Sequence, residues 1–347
     1  LDALDALDAQ AKRIGADADR VAILTMESRA HGRLGDTRRA ERLAVECVEM
    51  ADSLGDAALI ANALTRLGNT LLTEAPARAL AAHERALELF KTIGDVRGQA
   101  RAHVNIGAAA QFEARLSEAS EAYEKSLAIA RSAGIPDLWG LAALNLGIVA
   151  QRFGDYDRAR SLCAEALSLF ATVKQSELQL VALYNLAHVE RELGLYESAA
   201  GLYDATTPLA ERIGQSDIEI GAMAGAGLCQ LDLGNIEGAR KVVVDVRRRL
   251  DTRPDWFQGR EVAEAFSIRM DVVDGARDAA VARFEWAVAL ADGADSYSAV
   301  WFTAECAEAL SPVDRARLRP LLERYTARAK QLGYPEMARR YEGLAFA

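Results

Sequence analysis

The chain has 347 residues, a formal net charge of −10, 51% hydrophobic residues and 6% aromatic residues. An acidic chain is a poor general nucleic-acid binder, because phosphate binding needs a basic surface or a large basic patch. No apolar run reaches the roughly 18 to 20 residues that cross a bilayer, and the acidic first residues do not resemble a signal peptide. The composition therefore predicts a cytoplasmic protein with no membrane partner and no nucleic-acid partner through this region.

Alanine and leucine dominate the sequence, which favours helices throughout. Cysteine and histidine show neither a CxxC pair nor an HExxH pair, so we expect no metal site and no cofactor. The four cysteines are interpreted as reduced core residues, and they are Cys47, Cys163, Cys229 and Cys306.

One alanine returns at nearly constant spacing, with intervals of 39 and then 40 residues. These marker alanines are Ala40, Ala79, Ala119, Ala159, Ala199, Ala239 and Ala279. Twelve residues before many of them stands a small residue, such as Gly107 or Gly147, and four residues after them stands a larger one. The i, i+4, i+7 spacing indicates one helix face, and the small residues indicate close helix approach.

Turn signals divide each period into two helices, A and B. Stretches such as RLGDTRRA and DLGNIEGA supply a glycine for a left-handed C-cap, followed by Asp or Asn to cap the next helix. A second break, such as SLGD or TIGD, closes each unit. The sequence thus predicts antiparallel helix pairs that bury their apolar faces only by stacking on their neighbours.

In chain order, we predict a single solenoid over residues 1–347, beginning with a partial leading helix at 1–19. Counting back from Ala40 leaves this first helix B without its helix A, so we expect the chain to be a fragment of a longer protein. Repeats are predicted at 20–56, 57–95, 96–137, 138–174, 175–217, 218–252, 256–293 and 296–333, with a capping helix at 334–347.

The small residue, turn, alanine and larger residue in this order resemble the tetratricopeptide repeat, most specifically over residues 57–250. The forty-residue period exceeds the usual 34 and is similar to that of kinesin light chains, spindle-orienting adaptors, bacterial peptide-sensing regulators and sensor arms of large bacterial signalling ATPases. The resemblance implies an all-α, right-handed α-solenoid whose A helices line a concave groove.

The resemblance also implies that helix-A positions 2, 5, 6, 9, 12 and 13 face the groove, with the small residue as position 8. Position 6 is Asn105, Asn145 and Asn185 in three successive repeats. A side-chain amide offers a donor and an acceptor, which suits binding of a peptide backbone. The alternative interpretation is that these are surface asparagines without a role.

The same positions collect the other candidate binding residues: Arg66, Asn69, Arg101, Arg152, Tyr184, His188 and Arg191. Arg29, Arg33, Gln111, Gln151 and Phe112 extend this set. Arginine binds carboxylates bidentately, so a basic, amide-rich groove predicts an acidic peptide or protein partner. The alternative is that individual arginines lie along the surface or pair with neighbouring glutamates.

Beyond the fifth repeat the mapped positions become apolar and acidic, so they can hold another segment, a helix or another part of the same full-length protein. The glycines of GAMAGAG, at 221–227, indicate close packing rather than a phosphate loop, since no GK[ST] follows. Basic stretches at 247–254 and from Leu310 onward indicate a solvated helix face, with a docking surface for acidic protein or RNA as the alternative.

No paired catalytic constellation has interpretable spacing, so we predict a non-catalytic binding module. We expect it to be the sensing or partner-recognition arm of a larger bacterial signalling or transcription regulator. Two alternatives remain open at this point, namely a structural or oligomerisation solenoid and a sensor domain for a small molecule such as a sugar or nucleotide.

Overall fold

The computed structural model describes residues 17–253, 259–291 and 296–346, together with Leu7, Gln10, Lys12 and Gly15. All regular elements among these residues are α-helices. The predicted leading helix at 1–19 lies almost wholly outside the described residues. The chain forms two compact units, unit 1 (residues 1–146) and unit 2 (residues 147–347). That all residues belong to one solenoid remains a prediction.

Unit 1 consists of helix pairs joined by short turns. Each A helix packs on the B helix that follows it, and the A helices α1, α3 and α5 also pack on one another in order. The helices are α1 (Asp17–Arg33), α2 (Thr37–Leu54), α3 (Ala57–Leu71), α4 (Pro76–Thr92), α5 (Val96–Phe112), α6 (Leu116–Ser132) and the first part of α7 (Pro136–Phe153).

Unit 2 repeats this arrangement, with the A helices α9, α11, α13 and α15 packed in series. After the last part of α7, its helices are α8 (Tyr156–Thr172), α9 (Ser176–Glu192), α10 (Tyr196–Ile213), α11 (Ser216–Asp232), α12 (Ile236–Asp251), α13 (Arg260–Val273), α14 (Arg277–Ala291), α15 (Ser296–Gln331) and α16 (Pro335–Phe346).

The predicted turn chemistry is confirmed at several helix ends. Gly55 adopts a left-handed conformation with φ 69° at the end of α2, and the Asp56 side chain accepts hydrogen bonds from the first turn of α3. Glycine tolerates positive φ without a Cβ clash, which explains why it stands there. Two turns differ, because Ala114 and Lys174 adopt φ of 58° and 57° without being glycine. These two residues carry backbone strain that their glycine counterparts avoid.

The marker alanines from Ala40 to Ala239 are fully buried, as close helix packing requires. The last one was assigned wrongly, because Ala279 is exposed and its neighbour Ala280 is the buried residue. The turn glycine Gly275 follows Gly234 by 41 residues rather than 40, so the register has shifted by one residue in this repeat.

Small residues of the A helices make room for large side chains of neighbouring helices. A Cβ atom at Gly107 would clash with the Tyr123 ring, and one at Gly225 would clash with the Tyr203 ring. Gly221 lies against Tyr184 in the same way. The interpretation of GAMAGAG as a packing motif is therefore confirmed.

The predicted eighth repeat is a single 36-residue helix, α15, rather than a helix pair. Its sequence contains no glycine, whereas the turns that end other helices are mostly glycine in the left-handed region. Without such a residue the helix continues through the position where a turn was expected.

Candidate functional site on the A helices

Basic side chains of unit 1 lie on successive A helices. Arg66 of α3 donates from Nε and Nη2 to Thr70 Oγ1 at 3.3 and 3.2 Å. Burial lowers the pKa of Arg66, and repulsion from the nearby Arg29 guanidinium of α1 lowers it further. Among the described residues, neither arginine forms an ion pair with a carboxylate. Among the described residues, no carboxylate forms an ion pair that neutralises the positive charge of this pair.

Arg101 of α5 adds a third guanidinium, which contacts the preceding A helix. Its Nη2 donates to Asn62 Oδ1 at 2.8 Å, and the group lies 5.5 Å from the centroid of the Phe90 ring. Burial lowers the pKa of Arg101, although attraction from Asp95 partly opposes this effect. The hydrogen-bond partner of Arg101 is thus a neutral amide.

The predicted asparagines differ in their surroundings. Asn105, one turn beyond Arg101 on α5, buries its Nδ2 atom without a hydrogen-bond partner among the described residues. Asn145 of α7 is half-buried, and Asn69 of α3 is exposed. We call Arg29, Asn62, Arg66, Arg101 and Asn105 the basic strip of unit 1.

Sequence reasoning missed Met26 and Asn62. Met26 precedes the small residue Ser28 by two positions, and its side chain is 57% exposed. It therefore occupies position 6 of the first repeat. Numbering the helix-A positions of that repeat as in the other repeats identifies Met26. Phe112 at the end of α5 is 54% exposed. Two large apolar side chains are thus exposed on the A helices that carry the basic strip.

In unit 2, three of the predicted residues contact helix α15. The Arg152 guanidinium lies 5.2 Å from the centroid of the Tyr297 ring, and His188 makes an edge contact with Trp301 at 6.0 Å. Arg191 Nη2 donates to Glu305 Oε1 at 2.6 Å. Because the three contacted residues are spaced four apart, they form one face of α15.

Tyr184 and Asn185 are also engaged within unit 2. The Tyr184 ring is buried and packs edge-on against His188 at 4.6 Å and Tyr203 at 6.1 Å. Asn185 donates from Nδ2 to the Val181 carbonyl of its own helix at 2.8 Å. These placements orient both side chains without any bound partner.

Three arginines surround the buried Glu305 carboxylate. Arg191, Arg269 and Arg340 pair with it at 2.6, 3.0 and 2.9 Å, and the first two also pair with Asp232. Burial alone raises the pKa of Glu305, but the three guanidinium groups outweigh burial and hold it well below its usual range. We call these five residues the Glu305 cluster.

Burial, reinforced by Arg191, lowers the pKa of His188 to about 3, so its ring is neutral at pH 7. Burial raises the thiol pKa of Cys163 and Cys229 to about 12, which leaves both thiols protonated and unreactive. Within the described ranges, no three His, Cys, Asp or Glu residues are placed to hold a metal ion.

Comparison with known proteins identifies the repeats. Two family models, both described as tetratricopeptide repeat, match residues 140–212 and 100–132. These segments are tetratricopeptide repeats, as the sequence pattern predicts. A search of curated protein sequences gave no match. In the part of the chain that the structure covers, no helix combines the length and the apolar character needed to span a bilayer.

Solved structures share the fold at low sequence identity. A signal-transduction ATPase with numerous domains (STAND) and a tetratricopeptide repeat sensor, from Pyrococcus horikoshii, matches with TM-score 0.62 and 19% identity over 74% of this chain. The alignment spans only 39% of that ATPase chain. The apo form of RapI matches with TM-score 0.60 and 14% identity, covering 94% of this chain and 98% of its own.

A Rap protein complexed with competence and sporulation factor matches with TM-score 0.59 and 14% identity, covering 94% of this chain and 97% of that one. At such identities the likeness establishes the fold alone. The predicted fold class, an all-α solenoid of tetratricopeptide type, is confirmed.

Proposed function

We propose that this chain is a non-catalytic protein-interaction module and that the basic strip of unit 1 binds an acidic segment of a partner protein. The observation that carries the proposal is the Arg29–Arg66 pair: burial and then repulsion from Arg29 lower the pKa of Arg66, and neither arginine forms an ion pair with a carboxylate among the described residues. A partner carboxylate relieves their repulsion and gains charge-assisted hydrogen bonds.

The strip offers more than charge. Asn105 Nδ2 has no hydrogen-bond partner among the described residues, so it can donate to a backbone carbonyl of a bound segment, which provides recognition that does not depend on the side chains of that segment. Exposed Met26 and Phe112 supply apolar contacts on the same set of helices. The preferred partner therefore combines acidic residues with at least one large apolar residue.

For unit 2 we propose a partner within the chain itself. Arg152, His188 and Arg191 contact Tyr297, Trp301 and Glu305 of α15, so aromatic and acidic groups already meet these predicted binding residues. Along α15, two aromatic residues are followed by an acidic one. This order indicates that the helix-A positions bind aromatic and acidic side chains. By extension, Arg66, Asn69, Arg101 and Asn145 remain the predicted residues that contact an external partner.

The regulatory setting is also part of the proposal. The matched ATPase is described as carrying a tetratricopeptide repeat sensor, and the matched Rap protein as complexed with competence and sporulation factor. These descriptions support, for this chain, a role as the sensing or partner-recognition arm of a bacterial signalling or transcription regulator. A cytoplasmic location follows from that role.

The test measures fluorescence anisotropy of a fluorescein-labelled decaglutamate peptide with the full chain. We expect the double variant Arg66→Ala/Arg101→Ala to bind about tenfold more weakly or worse, since each lost charge-assisted contact removes roughly 1 kcal/mol. The control, Arg78→Ala/Arg85→Ala, removes two α4 arginines that pair with Glu41 and Asp52 at 2.9 and 2.7 Å.

Both double variants lower the net charge equally, so general electrostatic attraction affects them alike. Similar affinity losses in the two variants contradict the proposed strip. Asn105→Ala adds a charge-neutral test, for which we expect an affinity loss of about threefold.

A further inference from the structure

A cavity of about 490 Å³ lies beside the Glu305 cluster in unit 2. Its size falls within the range of about 300 to 1,000 Å³ that is typical of small-molecule sites. Besides members of the cluster, its lining includes Tyr156, Tyr196, Glu192, Glu308, Glu336 and Met337. It is separate from the basic strip, so the inference is independent of the proposed function.

One carboxylate at this cavity has no arginine nitrogen within hydrogen-bond distance. Asp232, Glu305, Glu308 and Glu336 each have an arginine nitrogen within 3.0 Å. Glu192 does not, because its nearest guanidinium nitrogens, on Arg191 and Arg340, are 3.8 and 3.9 Å away. Its Oε1 atom accepts a hydrogen bond from Trp301 Nε1 at 2.9 Å, which supplies no full positive charge.

The formal charges give the same result. Three arginines and five carboxylates line the cavity, and the exposed Arg339 pairs with the lining residue Glu336, so the group carries one negative charge in excess. A single added cation near Glu192 neutralises it. An added anion would instead meet arginines whose carboxylate partners already surround them, which is unfavourable in a partly buried site.

Aromatic rings and an unsatisfied donor further define the ligand. Tyr156 and Tyr196 line the cavity, and aromatic rings attract cations. Tyr156 lines the cavity together with Glu192 and Glu336, and burial and then these two carboxylates raise the pKa of its phenol. Arg340 Nη1 is buried without a hydrogen-bond partner among the described residues, and it lies 3.9 Å from Glu192 Oε2.

We propose that this cavity binds a compact organic cation whose ammonium group pairs with Glu192 and whose neutral acceptor, such as a hydroxyl oxygen, accepts from Arg340. The ammonium group restores charge balance, and the hydroxyl group satisfies the orphan Nη1 donor. An amino alcohol has both groups at a size that the cavity accommodates.

The experiment is titration calorimetry of the full chain with four probes of similar length: 4-aminobutanol, butylamine, butanol and butyrate. We expect 4-aminobutanol to bind best, butylamine about threefold or more weakly, and the neutral and anionic probes not measurably. Binding of butanol or butyrate as tight as that of the amines overturns the proposal, and so does the absence of binding by both amines.

Glu192→Gln keeps the shape of the side chain but removes its charge, so we expect about tenfold weaker binding of 4-aminobutanol. The matched control is Glu323→Gln, since Glu323 is 63% exposed and pairs with Arg319 away from the cavity. Unchanged affinity in Glu192→Gln also overturns the proposal.

Circular dichroism establishes whether Glu192→Gln is folded. If it is not, Tyr156→Phe and Tyr156→Leu replace it, because the first keeps an aromatic ring and the second does not. We expect Phe to retain amine binding and Leu to weaken it about threefold or more. Equal affinity in these two variants counts against the cation site.

Discussion

Unit 1 and unit 2 share the same helix-pair scaffold, but their helix-A arginines lie in opposite electrostatic surroundings. In unit 1, burial and repulsion from Arg29 lower the pKa of Arg66, whose hydrogen-bond partner is a threonine. In unit 2, burial also disfavours the charged form of Arg191, but Glu305 and Asp232 outweigh it and raise its pKa well above the usual value. The repeat register places an arginine on a helix face, and its neighbours decide whether its charge remains available.

The source of the difference is the C-terminal part of the chain. Glu305 lies 114 residues beyond Arg191, on a helix whose other contacting residues, Tyr297 and Trp301, also meet unit 2 A helices. In unit 1, neither Arg29 nor Arg66 forms an ion pair with a carboxylate among the described residues. The comparison therefore distinguishes arginines that carboxylates of the same chain neutralise from arginines that have no carboxylate partner among the described residues.

The largest expected effect comes from breaking the Glu305 cluster. Arg191→Ala leaves buried carboxylates short of a counter-charge, so we expect it to lower the free energy of unfolding by about 3 to 5 kcal/mol. Arg101→Ala in unit 1 removes a hydrogen bond to an amide and should cost less than about 1.5 kcal/mol. Urea denaturation of both variants measures the difference, and equal costs contradict the contrast between the units.

The pH dependence of stability sharpens the comparison through two histidines with lowered pKa values, His83 in unit 1 and His188 in unit 2. Burial lowers the pKa of His83 in unit 1 to about 4, and burial with Arg191 lowers that of His188 in unit 2 to about 3. Below the unfolded pKa of about 6.5, the unfolded chain gains protons that the folded chain excludes, so stability falls as pH falls. We expect each histidine to cost about 1 kcal/mol between pH 6.5 and 5.5.

Urea midpoints at several pH values measure this slope. His83→Tyr is the informative variant, because tyrosine occupies the corresponding position of the next repeat, Tyr123, against Gly107. This variant should reduce the pH dependence of the free energy of unfolding. The contribution of His188 to that dependence should remain. A slope unchanged by this substitution shows that His83 does not contribute.

The smallest expected effect concerns the two strained turns, one in each unit. Ala114→Gly and Lys174→Gly place glycine at positive φ, which removes the left-handed penalty but adds entropy to the unfolded chain. We expect each to stabilise its unit by about 0.5 to 1 kcal/mol, measured by thermal unfolding. As a control, Ala133→Gly changes a residue at φ −89°, and it should give no stabilisation.

Much of the fold follows from the sequence because its determinants are local. A forty-residue period, a turn glycine and a following Asp fix the helix pairs, and each of these lies within a few residues of the structure that it determines. The prediction failed where this local signal changed. One extra residue of spacing exposed Ala279, and the lack of glycine turned the eighth helix pair into α15.

The contacts of the candidate site follow less completely from the sequence. The register places Arg66, Arg101 and Arg191 at helix-A positions, but it does not identify the groups that they meet in space. Pairing between Arg191 and Glu305 depends on how distant helices pack, which no repeat pattern encodes. The orphan Nδ2 of Asn105 depends likewise on the surrounding packing, since an identical asparagine at 185 bonds to its own helix.

The contact between Gly225 and the Tyr203 ring limits how this chain can be re-engineered. Because a Cβ atom at 225 has no room while the ring is present, a larger residue at 225 requires a smaller side chain at 203. Exchanging α11 for the equivalent helix of another repeat would introduce such a clash unless glycine stood at the matching place. The repeats are therefore not interchangeable building blocks, and chimaeras must be assembled with their facing helices kept together.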